Sequence, residues 1–145
     1  WAEEIATEAE LSIVDWETKE VVFRTIPVPD DIRIMSIEVG ADGLVYGLSG
    51  NATFFVFDPQ DRSVIHSESF AEYGGVPRHA LHAHPDGDVY AMMHGAVIRI
   101  AAGGLGHERL AKSPVTVSAG GALLNDVLYF ASGTHVWSYE IPAAE

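Results

Sequence analysis

The chain has 145 residues, 48% of them apolar, which is enough for a sizeable core, and no apolar run approaches the roughly 18 residues that cross a bilayer as a helix. Twenty-one acidic against 8 basic residues give a net charge of −13, a surface that repels phosphate backbones and anionic lipid and so disfavours nucleic-acid and membrane partners. There is no cysteine, so disulfides, Cys-based metal sites and thiol nucleophiles are excluded.

In chain order, residues 1–10 form an acidic lead-in, too short to hold a helix alone. They open on Trp1-Ala2-Glu3-Glu4, with neither an initiating Met nor a leader pattern, which points to a piece of a longer protein. Apolar stretches at 11–15 and 21–24 flank the turn Trp16-Glu17-Thr18-Lys19 and read as two strands, so 11–25 holds the last two strands of an incomplete unit. Residues 34–70 then give four strand signals, at 36–39, 44–48, 53–57 and 63–69, punctuated by Asp42-Gly43, Ser49-Gly50-Asn51 and Asp58-Pro59. Residues 78–111 repeat the pattern at 80–83, 89–93, 96–101 and 107–111, and residues 118–141 give three strands at 121–124, 127–131 and 135–140. Asp42-Gly43 and Tyr46 recur as Asp86-Gly87 and Tyr90, 44 residues on, and Tyr129 follows another 39 residues later. A period of about 40–45 residues with four short strands per unit predicts an all-β fold, part of a β-propeller with about three four-stranded antiparallel blades. Strands such as 54–57 are apolar without alternation, as a sheet covered on both faces requires. A sandwich or barrel shares the strand spacing and is the competing fold.

The residues Asp42, Gly43, Tyr46, Phe57, Asp58 and Pro59, with Pro85, Asp86, Gly87 and Tyr90 in the second copy, resemble the blades of the SMP-30/gluconolactonase, NHL and YVTN-type propellers. The resemblance covers about residues 11–141 and speaks to architecture. The SMP-30-like enzymes bind a divalent metal through scattered Glu, Asn and Asp residues, a set with no match placed here. No catalytic residue carries over.

Four of the seven histidines, His79, His82, His84 and His94, fall within 16 positions. Imidazole is a common transition-metal ligand, and His79, His82 and His94 could hold a divalent ion if the loop before the innermost strand and the turn after the second strand open on one face. The preferred reading keeps these histidines solvated or hydrogen-bonded, with His84 at a turn and His82 as one polar residue on a packed strand, and so assigns no cofactor. The loops feeding the inner strands carry Arg33 and Arg78 at nearly matched places, and two guanidinium forks there suit a carboxylate. Tyr73 could stack on a sugar ring, while Asp30, Asp31 and Glu72 could instead neutralise the arginines. Arg33, Tyr73, Arg78, His79 and His94 are therefore the ligand-binding candidates. Gly103-Gly104-Leu105-Gly106 lacks the helix and Lys-Ser/Thr of a phosphate loop. Asp42 and Asp86 are turn-formers, and Gly120-Gly121 marks a close backbone approach.

Two functions follow as expectations. The first is a non-catalytic propeller segment that binds a small molecule, carbohydrate or protein, or serves as an accessory domain of a larger protein. The alternative is a propeller enzyme, a lactonase, lyase or hydrolase, acting on an anionic sugar or organic acid with a metal near the channel mouth. Partners for the open ends are remaining blades of the same polypeptide, further copies of the chain or a second chain. With two lysines and abundant Ala and Gly, the composition fits a GC-rich bacterial source. The compartment stays open between extracellular or periplasmic and cytoplasmic.

Overall fold

The computed structural model describes residues 7–143. Thirteen strands fall into four antiparallel sheets. Sheet I pairs β1 (Leu11–Val14) with β2 (Val21–Thr25). Sheet II runs in the order β3 (Ile34–Val39), β4 (Val45–Ser49), β5 (Thr53–Asp58) and β6 (Ser63–Ser69). Sheet III repeats it with β7 (Leu81–Ala83), β8 (Val89–Met92), β9 (Ala96–Ile100) and β10 (His107–Lys112). Sheet IV has β11 (Ala119–Leu124), β12 (Val127–Ser132) and β13 (His135–Glu140). The one helical element among the described residues is a single 3-10 turn, Ala71–Tyr73, so none is long and apolar enough to cross a membrane. The lead-in at 1–10 lies largely outside the described residues; its last four form no strand or helix.

The sheets stack in chain order because period-2 alternation sends neighbouring residues of one strand into different cores. Along β5, Phe54 and Val56 face sheet III, and Phe55 and Phe57 face sheet I. Along β8, Val89 and Ala91 face sheet II, while Tyr90 and Met92 face sheet IV. Three cores result, one at each seam, and the apolar runs that looked unpatterned are two alternating patterns superposed. The outer strand β6 behaves differently: its residues alternate exposed and half-buried, as the solvated edge of a sheet should.

The repeated turns share one construction. Gly43 and Gly87 sit at positive φ, and each donates its amide to the carbonyl three residues back, Gly40 and His84 respectively. Asp42 and Asp86 accept the amide two residues on, at 3.0 and 2.9 Å. The third turn is tighter, since Asn125 and Asp126 both take positive φ and form a two-residue hairpin. It adds one cross-strand pair, Leu124 with Val127, beyond the point where the other ladders end. With that pair allowed for, Tyr46, Tyr90 and Tyr129 are equivalent, each on the second strand and each on the face turned to the following sheet.

Two strands begin earlier than their apolar runs suggest. β3 starts at Ile34 rather than 36 and β11 at Ala119 rather than 121, and both ladders shift register there, between Ile34 and Ser36 and between Ala119 and Ala122. A bulge carries the chain into the sheet without continuing the alternation that marks a strand in sequence.

Candidate functional site

The inner-strand loops draw part of the predicted set together. Arg33 ends the loop before β3, and Arg78 and His79 end the loop before β7. All three line one cavity of about 460 Å3, together with Ile32, Ile34 and Met35. A neighbouring space of about 430 Å3 shares Ile34, Met35 and His79 and extends along β3 to Glu10 and Ile37. A further cavity of about 400 Å3, between Arg99, Ala101 and Glu108, opens on the outer strands and holds none of the predicted residues.

Each cationic group stands on a built support. Asp31 is buried, and its carboxylate accepts the amides of Asn51 at 2.8 Å and Arg33 at 3.1 Å, tying the loop before β3 to the β4–β5 turn. Burial alone would raise the Asp31 carboxyl, but the Ser49 hydroxyl and these amides outweigh it and hold the group below the ordinary carboxylate value. Asp31 serves the backbone first and attracts Arg33 only from beyond contact distance: among the described residues, neither Arg33 nor Arg78 has a carboxylate within 4.0 Å. The expected pairing with Asp30, Asp31 or Glu72 is thus absent from the described ion pairs. His79 adopts φ 56°, a left-handed conformation uncommon for a residue with a side chain. It is held there from the next sheet, where Gly120 donates its amide to the Arg78 carbonyl at 2.9 Å. Any Cβ at position 120 would collide with the His79 carbonyl, so the close approach read from Gly120-Gly121 is real and falls at the site itself.

The other candidates lie elsewhere. The Tyr73 hydroxyl is hydrogen-bonded with His107 Nε2 at 3.0 Å, and its ring packs in a T-shaped arrangement with Phe70, away from the cavity lined by Arg33 and Arg78. His94 belongs to the β8–β9 turn, where its amide donates to the Gly75 carbonyl at 2.9 Å and its ring lies over Gly75. His82 pairs with Tyr90 across β7–β8 and shares its face toward sheet IV. Burial pushes its imidazole below the usual value, and its Nε2 is buried with no hydrogen-bond partner among the described residues. Of the trio His79, His82 and His94, His82 adjoins the His79 backbone while His94 belongs to the β8–β9 turn, and among the described residues no three His, Asp or Glu side chains converge on a common point. His84, read as a turn residue, has larger work. Its two ring nitrogens meet Asp86 at 2.8 Å and Asp126 at 2.6 Å, which clasps sheet III to sheet IV. Asp126 is distant in sequence, and no local pattern announces that pair. Ile32 and Met35 form the apolar wall of the cavity, a placement no sequence signal gives, because apolar residues beside a strand read as core.

No family model and no curated protein matches the chain. Solved structures do. A virginiamycin B lyase from Staphylococcus aureus aligns over 92% of this chain and 49% of its own, with TM-score 0.62 and 14% identity. The extracellular domain of a hybrid two-component system from B. thetaiotaomicron aligns over 74% of this chain and 15% of its own, with TM-score 0.57 and 18% identity. This chain therefore spans about half the length of the first structure and a smaller part of the second. Both neighbours are propeller-type folds, and the antiparallel sheets stacked in chain order agree with them: the chain is part of a β-propeller.

Proposed function

We propose that this propeller segment is a binding domain whose inner-loop face takes a small organic anion, with a carboxylate held by Arg33 and Arg78. One observation supports this above the rest: in a chain of net charge −13, two arginines from different blades and His79 line one cavity, without a carboxylate partner among the described residues. A guanidinium pair with no carboxylate in contact among the described residues leaves its forks open, and they match a ligand carboxylate in bidentate fashion. The apolar wall of Ile32, Ile34 and Met35 suits a ligand with a hydrocarbon body better than one bearing only hydroxyls.

Titration calorimetry with a panel of short mono- and dicarboxylates tests the reading. Saturable binding is expected, weakened about 10- to 100-fold by Arg33→Ala or Arg78→Ala, since a charge-assisted hydrogen bond contributes about 1.5–3 kcal/mol. Binding that ignores both substitutions would end the proposal. A second reading, a lactonase, lyase or hydrolase acting on the same class of anion with a divalent metal nearby, draws on His79, because strained residues gather at reacting sites. Turnover of a bound acid or lactone that requires added Mg2+ or Mn2+ would replace the first reading with this one.

A further inference from the structure

Alternation gives every inner position a fixed neighbour, and this makes the two ends of the stack legible. The residues of sheets II and III that face the following sheet are Tyr46, Leu48 and Phe54, then Tyr90, Met92 and Val97, all buried. Their ladder equivalents in sheet IV are Tyr129, Ala131 and Val136. Val136 is 80% exposed, where Phe54 is 0% and Val97 3%. Tyr129 is 39% exposed, against 0% for Tyr46 and 2% for Tyr90. The opposite end repeats the finding. Ile37 on β3 is the equivalent of Leu81 on β7, as each stands opposite the third residue of the next strand. Leu81 is 2% exposed because sheet II covers it, while Ile37 is 51% exposed. Sheet I supplies only β1 and β2, which pack on Phe55 and Phe57 and leave the inner half of that seam open.

We infer that these surfaces are the outer halves of two further blade-to-blade seams, covered by additional blades of the same polypeptide. Two inner strands would pair with the free edge of β1 and cover Ile37 and Val39. A following blade would cover Tyr129, Ala131 and Val136. Continuity with the seams already formed identifies the cover: adjoining sheets bury the equivalents of Tyr129 and Val136 twice within this chain and that of Ile37 once, so the matching surface is another blade. A second copy fits poorly, because the sheet it would bring to sheet IV is its own sheet I, whose two strands occupy outer positions and leave β11 and β12 bare. Consecutive sheets are also joined by short connections, so the chain itself delivers each cover in order.

The test uses the polypeptide encoded by the complete reading frame. Val136→Asp and Ile37→Asp should each lower its Tm by several degrees, because a carboxylate would enter a closed apolar seam. Light scattering should give the mass of one chain. Should either variant fail to fold, hydrogen exchange on the unmodified polypeptide decides: amides of β3 and β13 should be protected as well as those of β5 and β8. Exchange about 100-fold faster at β3 and β13 than at β5 would overturn the inference. So would unchanged Tm values, a dimer that either substitution dissociates, or a reading frame ending with these residues.

Discussion

His84 shows how a residue in a turn can join two sheets. Burial disfavours its charged form, yet hydrogen bonds donated to the Asp126 and Asp86 carboxylates, with their charges, outweigh burial and raise its pKa above the ordinary imidazole value. A group with a raised folded pKa contributes stability that is fully present below its unfolded value, about 6.5, and is lost as pH rises through the folded value. Thermal stability should therefore fall over that window on the alkaline side of 6.5, and His84→Gln should remove the slope; a slope unchanged in the variant would show that the clasp is not its source. Tyr46 carries a related joint of opposite character. Its hydroxyl donates to Asp42 at 2.6 Å and accepts the Gly103 amide at 2.9 Å, so one side chain fastens its own turn to a turn of the next sheet. Burial first, and then the Asp42 bond, push this phenol up to about 12, so it stays a neutral donor at any physiological pH. The recurring Asp-Gly and Tyr that marked the repeat in sequence are thus the parts of a seam as well as of a turn.

At the scale of the element, β5 is the clearest case of two-sided burial. Phe54→Ala and Phe55→Ala point into different cores, so each should cost about 3–5 kcal/mol in urea denaturation, while Ile65→Ala on the open face of β6 should cost less than about 1 kcal/mol. Equal losses at all three positions would contradict the sorting of faces. Strand existence was legible here because turn chemistry at Asp42-Gly43, Asp86-Gly87 and Asp58-Pro59 brackets the apolar runs, and those residues act locally. Strand starts at bulges were not, since Ile34 and Ala119 enter the sheet out of phase. The candidate site divides the same way. Arg33, Arg78 and His79 line one cavity because equivalent loops of a repeat converge near the axis. Tyr73 and His94 lie apart from it, because these loop residues answer to partners such as His107 and Gly75 that no periodicity predicts.

For the whole molecule, charge and exposed seams oppose each other. The −13 net charge keeps chains apart, while Val136, Leu124 and Ile37 invite association. The 145-residue chain alone should associate in a concentration-dependent way, more strongly as salt rises, because screening shortens the repulsion to about 8 Å at physiological ionic strength. A monodisperse 15.6 kDa species at all salt concentrations would refute this. The stacking order has one more consequence. Sheet II adjoins sheet III, sheet III adjoins sheet IV, and among the described residues sheets further apart share no core. Coupling is therefore between nearest neighbours only, as in a row of dominoes whose stability is a sum of local terms and pairwise interfaces. Such a row frays from its ends inward, and the Arg33–Arg78–His79 cavity, assembled from sheets II and III with Gly120 of sheet IV behind it, sits where fraying arrives last.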